Sequence, residues 1–266
     1  MLRAPFPLRS LRDVPLLGSW IHRLSHHLVP ADVKIWAQIE AGPAQGLWLE
    51  LNPRTGQNYL RGKVELAVQR VLAERLRPGM TVYDLGANIG LFSLLAARLV
   101  GATGKVVSFE PDPGVAARLR RNIARNAFAN ITVVESGVWS ESGPRGFFAS
   151  NLSSPDRGVG SFLPDINGSA TTLIPCVSLD DFVRSAPPPD AIKCDVEGAE
   201  AEVFRSAEKL LRARRPWIVC EMHSQPASNA VQDQLRPLGY SFEPIDEHHL
   251  LASPLAPPVS DGVSHV

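Results

Sequence analysis

Thr81-Val82-Tyr83-Asp84-Leu85-Gly86-Ala87-Asn88-Ile89-Gly90 is followed by Val106-Val107-Ser108-Phe109-Glu110-Pro111. The first run reads as a β-strand, a glycine turn and the start of a helix, the second as the next strand, ending in a carboxylate. That arrangement holds a nucleotide-like cofactor at the edge of a parallel sheet. The glycine spacing separates the candidates. Gly86 and Gly90 are four apart, which is not G-x-G-x-x-G, and no Gly-Lys-Ser/Thr follows to form a phosphate-cradling loop. Asp84 before the turn would repel a pyrophosphate. It suits a cationic ligand better, and S-adenosylmethionine carries both an ammonium and a sulfonium.

Outward from this unit, apolar runs and amphipathic segments alternate. Strands are expected at 81–85, 105–110, 131–135, 190–195, 216–221 and 240–245, with 248–252 as a partner for the last. Helices are expected at 90–100, 113–127, 198–211 and 228–238. Such alternation gives a doubly wound, mostly parallel α/β sheet with helices on both faces. The last two strands are close enough for an antiparallel pair at its edge. Upstream, 33–39 and 47–51 alternate in polarity around Ala41-Gly42-Pro43, the pattern of a hairpin. Apolar residues at Val64, Ala67, Val71, Leu72 and Leu76 have helical spacing, and Pro78-Gly79 ends that helix. Residues 1–56 are read as an extension with a partly helical arm over 1–30, residues 57–253 as the main domain, and 254–266 as a disordered tail. The Gly-, Ser-, Asn- and Pro-rich stretch 142–172 is read as a functional loop or lid.

Lysine plus arginine equals aspartate plus glutamate, at 27 each. That balance argues against nucleic acid as a partner, although Arg212-Ala213-Arg214-Arg215 is a local basic patch. Cys176, Cys194 and Cys220 form no C-x-x-C pair and read as small buried residues in a reducing, cytoplasmic compartment. No run reaches the ~18–20 apolar residues of a membrane span, and the N-terminus lacks the apolar core of a secretory signal. Its arginines and leucines leave weak contact with a membrane surface open.

The residues where strands stop should carry the chemistry. Asp84 would accept from the amino-acid end of the cofactor, Gly86 would let the backbone approach it, and Gly90 would allow close packing at the helix start. Asn88 would offer its amide to the cofactor carboxylate, helped by the helix N-terminus. Glu110 has two oxygens for a pair of ribose hydroxyls, each charged hydrogen bond being worth about 1.5–3 kcal/mol. After the third strand, Val138 or Trp139 would cover the adenine face, and Glu135 or Ser136 would meet its amine.

A second cluster is Ile192-Lys193-Cys194-Asp195-Val196-Glu197-Gly198-Ala199-Glu200. Ionisable residues at a strand end beside the crevice are costly unless paired, so one reading is a structural ion cluster. The functional reading places Asp195 and Glu197 near a reacting hydroxyl, with Lys193 orienting them or acting as base if burial lowers its pKa. Glu221 and His223 on the next strand would face Asp195. A divalent metal is conceivable from these groups but, without tight spacing, is not favoured, and no ligand is assigned. His26-His27 and His248-His249 read as exposed pairs with no ligand role.

Together these residues resemble the FkbM family of S-adenosylmethionine-dependent methyltransferases. The resemblance runs from Asp84-Leu85-Gly86-Ala87-Asn88-Ile89-Gly90 through Phe109-Glu110-Pro111-Asp112-Pro113 and Leu179-Asp180-Asp181. It continues in Lys193-Cys194-Asp195-Val196-Glu197-Gly198-Ala199-Glu200 and in Arg215-Pro216 leading to Glu221-Met222-His223. It implies a Rossmann-like class I methyltransferase fold with a mostly parallel seven-stranded sheet, S-adenosylmethionine as cofactor, and a sugar, glycan or polyketide-type hydroxyl as acceptor. Gly137-Val138-Trp139-Ser140 departs from the family's usual alanine, small residue and aspartate. In the enzymatic reading Asp195 or Glu197 is the base, with His223 behind them. The rival is a protein that binds S-adenosylmethionine without turnover, as an accessory subunit. An N-methyltransferase acting on bases would need Asn/Asp-Pro-Pro-Tyr/Phe where Asp195-Val196-Glu197-Gly198 stands.

Overall fold

Ile35–Gln38 (β1) and Trp48–Leu51 (β2) pair antiparallel, Ile35 opposite Leu51, as the alternating polarity predicts. This computed structural model describes residues 33–149, 160–162 and 171–255. The arm over 1–30, with His26-His27, and residues 256–266 of the tail lie outside the described residues. Two short helices follow the hairpin, Gln57–Leu60 (α1) and Leu66–Arg75 (α2).

The central strand, Thr81–Leu85 (β3), is buried at every position, as befits a strand covered on both faces. The main domain continues through Leu91–Val100 (α3), Lys105–Phe109 (β4), Pro113–Arg125 (α4) and Ile131–Val134 (β5). Asp112 starts α4 by accepting from Gly114 N (2.7 Å) and Val115 N (3.0 Å), with Pro113 in the first turn. Hairpin strand β2 packs on α4, where Asn122 and Asn126 accept from the backbone N–H groups of Glu50 and Trp48, both at 2.9 Å.

The stretch expected as a loop over 142–172 is in part a small second sheet. Gly137–Val138 (β6), Gly143–Ala149 (β7), Gly160–Ser161 (β8) and Thr171–Val177 (β9) pair in the order β6-β9-β7-β8. Pro144 and Pro175, which argue against a strand in the sequence, stand opposite one another in the β7–β9 register. Residues 150–159 and 163–170 of that stretch lie outside the described residues.

Leu179–Phe182 (α5) and Ala191–Cys194 (β10) come next, then Glu200–Arg205 (α6) and Glu208–Arg214 (α7). The single helix expected over 198–211 is thus two, because Ser206 leaves the helical ladder. Its carbonyl accepts from Asp180 N (2.9 Å) and its hydroxyl from Leu179 N (3.1 Å). Trp217–Glu221 (β11), Gln225–Leu235 (α8), Tyr240–Pro244 (β12) and His249–Pro254 (β13) complete the described chain. Ser224 caps Ala227 N (3.2 Å) and starts α8 earlier than its apolar spacing suggests.

The main sheet has seven strands in the order β12-β13-β11-β10-β3-β4-β5. The antiparallel pair expected at the edge is there, with the reversed strand, β13, inserted between β11 and β12. Val82 packs with Ile89, Leu94 and Leu72 on one face, and Tyr83 with Phe109, Phe204 and Leu211 on the other. Arg215, in the basic patch, donates to the carbonyls of Leu238, Gly239 and Leu255 and so ties the β12 side together. Strand order reverses between β3 and β10, so a crevice opens beyond their carboxyl ends. No helix among the described residues is long and apolar enough to cross a membrane.

Candidate functional site

At the end of β3 the chain turns through Gly86 at φ +78°, and the N–H groups of Gly86 and Ala87 both donate to Phe109 O (3.0 and 2.9 Å). A Cβ on Gly86 would lie 1.7 Å from the carbonyl oxygen of Asp195. The glycine is therefore demanded by the neighbouring strand end as well as by its own φ. A Cβ on Gly90 (φ +93°) would lie 2.3 Å from Leu119 Cδ1, which is the close helix packing expected there. Asn88 adopts φ +49°, donates its backbone N–H to Glu110 Oε2 (2.8 Å) and accepts Ile89 N–H on Oδ1 (2.7 Å).

Asp84 is only 1% exposed. Its Oδ2 accepts from Ser93 Oγ (2.5 Å), and Oδ1 is sealed from solvent without a hydrogen bond. Burial pushes its carboxyl above the usual range, against the pull of the Lys193 ammonium beside it in the β3–β10 register. Glu110, 6% exposed, accepts from Asn88 N and, at 2.9 Å, from Asp112 N. Burial outweighs these donors and raises its pKa to about 7.

Two cavities meet at the turn. The larger is walled by Gly86, Asn88, Glu110, Val138, Asp195 and Glu197, together with Ser136, Phe147 and Phe162. The smaller is walled by Tyr59, Glu65, Asn88, Phe92, Lys193 and Asp195. Asp195 borders both. Ser136 reaches the first cavity, but its hydroxyl donates to the carbonyl oxygens of Pro175 (2.8 Å) and Gly137 (3.0 Å). Glu135 instead pairs with Arg120 at the surface. Val138 forms cavity wall, whereas Trp139 packs at 59° to the Phe162 ring with Arg145 over its own. Phe147 and Phe162 supply the aromatic surface expected from Trp139. The paired Phe147-Phe148 is the one hint of this in the sequence.

Lys193 is 4% exposed, bonds Asp195 Oδ2 at 3.0 Å and sits over the Phe92 ring. Burial alone would lower its pKa, but Asp195, Glu65 and Asp84 together hold it above the ordinary lysine range. It is thus a fixed cation, not the base that burial alone would make. Burial would raise the Asp195 carboxyl, and the Lys193 ammonium overrides this and keeps it low. Glu197, at φ +53°, lies 3.3 Å from His223 Nε2. His223 Nδ1 is 3.0 Å from Glu200 Oε1. Hydrogen bonds to Glu197 and Glu200 raise the imidazole to about 11, so His223 carries a proton at neutral pH and cannot accept one. Glu221 is raised to about 7 by burial and by the like charges of Asp195 and Glu65.

His248 is exposed as expected, but His249 is 6% exposed and lies between Asp246, Glu65 and Glu221. The β11–β13 register, which sets it opposite Glu221, is what buries it. Of the five non-glycine residues at positive φ among the described residues, three are Glu65, Asn88 and Glu197. Each such conformation costs about 1–3 kcal/mol and persists where its surroundings impose it, a pattern concentrated at functional sites.

A family model described as the methyltransferase FkbM domain matches residues 84–247. The chain is 30% identical over 167 residues to hexuronic acid methyltransferase AglP of Haloferax volcanii, covering 62% of this chain and 64% of that protein. It is 40% identical over 109 residues to 31-O-demethyl-FK506 methyltransferase FkbM of Streptomyces tacrolimicus, covering 41% and 36% respectively. The chain thus spans less than two thirds of either relative's length. The crystal structure of methyltransferase FkbM from Methylobacillus flagellatus KT aligns with a TM-score of 0.49 at 16% identity, over 74% of this chain and 52% of that one.

Proposed function

This chain belongs to the FkbM methyltransferase family, and from that premise we propose that it is an S-adenosylmethionine-dependent O-methyltransferase acting on a hydroxyl of a sugar, glycan or polyketide-type molecule. One observation carries the reading: Glu110, a ribose-type acceptor, and Asp195, a hydroxyl-type acceptor, wall the same cavity, and Asp195 also borders the second.

The residues present fit the cofactor. Asp84 lines neither cavity, so its orphaned Oδ1, sealed from solvent, would meet the ammonium only through a buried water. Glu110 keeps lone pairs beyond its two backbone bonds, and Val138, Phe147 and Phe162 offer an apolar slot for a flat base. When bound, S-adenosylmethionine supplies an electrophilic methyl carbon on a cationic sulfur. The chain's own work is to place the acceptor and remove its proton. Asp195, kept ionised by Lys193, accepts the acceptor's O–H and orients the oxygen. The proton that the acceptor loses, as the methyl carbon exchanges its bond to sulfur for one to oxygen, would pass to the carboxylates, and Glu221, near 7, is the neighbour best matched to hold it at neutral pH. Lys193 and His223 keep that patch from accumulating negative charge.

The two relatives, named for a hexuronic acid and for 31-O-demethyl-FK506, support a hydroxyl-bearing acceptor. The test is transfer of labelled methyl to a panel of uronic acids, neutral glycans and polyketide alcohols. The expected product carries the label in an alkali-stable ether. Tight cofactor binding with no label on any acceptor would favour the accessory-protein reading instead.

A further inference from the structure

Beside the two cavities, two imidazoles face a single patch of carboxylates. Asp246 Oδ1 holds His249 Nδ1 at 2.8 Å, as Glu200 holds that of His223, so both rings turn Nε2 toward the acids. Nε2 of His223 lies 3.3 Å from Glu197 Oε2 and 3.8 Å from Asp195 Oδ1. Nε2 of His249 lies 3.2 Å from Glu65 Oε2. Glu221 stands between the rings, with one oxygen 3.9 Å from His223 Nε2 and the other 3.8 Å from His249 Nε2. Within each set, Asp195-Glu197-His223 and Glu65-Glu221-His249, one donor atom per residue lies within 4.8 Å of the others.

A carboxylate on Nδ1 with Nε2 aimed at further acids is how metal-ligating histidines are held. Two more observations point the same way. Asp195 Oδ1 is sealed from solvent and accepts no hydrogen bond, although it faces this patch. Acids also crowd the cations here: among the described residues Asp195, Glu200, Glu221, Glu65 and Asp246 share Lys193 and the two rings.

We propose that Asp195, Glu197 and His223 bind a divalent cation, the ion displacing the proton that His223 otherwise holds on Nε2, with Glu221 linking this site to the Glu65-Glu221-His249 set. One imidazole with several carboxylates suits a first-row ion such as Mn²⁺ better than Mg²⁺, which prefers all-oxygen surroundings, or a thiolate-seeking ion. Cation binding follows from these residues alone. Its role, lowering the pKa of the acceptor hydroxyl held at Asp195, rests on the O-methylation reading above.

The experiment is titration of Mn²⁺ into the metal-freed full chain, by calorimetry and by loss of the aqueous Mn²⁺ EPR signal. S-adenosylmethionine binding and the thermal midpoint are measured on the same samples. Wild type should bind saturably, and His223→Gln and Glu197→Gln should each weaken Mn²⁺ by at least about tenfold. Glu200→Gln, which orients His223 and holds the Gly198 N–H (2.9 Å), should weaken it by about 10–100-fold. Glu208→Gln, exposed on α7 and paired with Arg212, should leave it unchanged. No binding to wild type, or binding untouched by His223→Gln and Glu197→Gln in folded variants, overturns the proposal. Cofactor binding retained in those samples would place the failure at the cation site and leave the methyltransferase reading standing.

Discussion

Asp195→Asn should slow methyl transfer by about 100- to 10,000-fold while leaving S-adenosylmethionine affinity within a few-fold of wild type. The asparagine keeps the shape of the wall but cannot take a proton, and its amide competes as a donor where the acceptor hydroxyl needs an acceptor. The substitution also removes the closest anion from Lys193, which is 4% exposed. Asp84 and Glu65 remain near that ammonium, so the loss of stability should stay below the ~3–5 kcal/mol of a buried charge left alone. Single-turnover rates separate the two effects. A structural role for Asp195 would move the melting temperature and the cofactor affinity together. A catalytic one moves the rate at saturating cofactor, and a rate retained within a few-fold would remove Asp195 from the mechanism.

Gly86→Ala should cost about 2–5 kcal/mol of stability and weaken the cofactor site with it. Part of the cost is conformational, since φ +78° disfavours any Cβ. The larger part is steric. The new atom would meet a backbone oxygen, that of Asp195, at 1.7 Å, and no side-chain rotation can relieve it. The ends of β3 and β10 would have to separate, which would pull Asn88 and Asp195 out of their shared wall. Gly101→Ala is the control, because Gly101 has φ +66° and nothing within 4 Å of an added Cβ. Urea midpoints for the two variants isolate the clash. Equal destabilisation would mean that β3 and β10 part at no cost, and the steric explanation would fall.

How much was legible in the chain depended on how local the cause was. Asp84, Gly86, Gly90 and Glu110 could be placed because strand, turn and helix signals lie within a few residues of each. Asp112-Pro113 marked the start of α4 for the same reason. The small sheet was missed because Pro144 and Pro175 suppress a strand reading locally, and only their pairing with each other reconciles them. His249 looked exposed because its burial comes from β11 and from Glu65, 184 positions away. Lys193 and His223 could be put at the crevice from sequence, yet their charge states could not. Those depend on how many carboxylates converge from α2, β10 and β11, a sum that no single motif contains.

The most direct measurement is calorimetric titration of S-adenosylmethionine into wild type and Glu110→Ala at pH 8, repeated on wild type at pH 6. Wild type should bind saturably, and Glu110→Ala should lose at least about tenfold in affinity, or about 1.4 kcal/mol. Only the ionised Glu110 accepts on both oxygens, and its carboxyl is raised to about 7. Binding should therefore weaken by up to about tenfold on going to pH 6. No binding of S-adenosylmethionine to wild type at either pH would contradict the assignment of this crevice as the cofactor site, as would full-strength binding to Glu110→Ala.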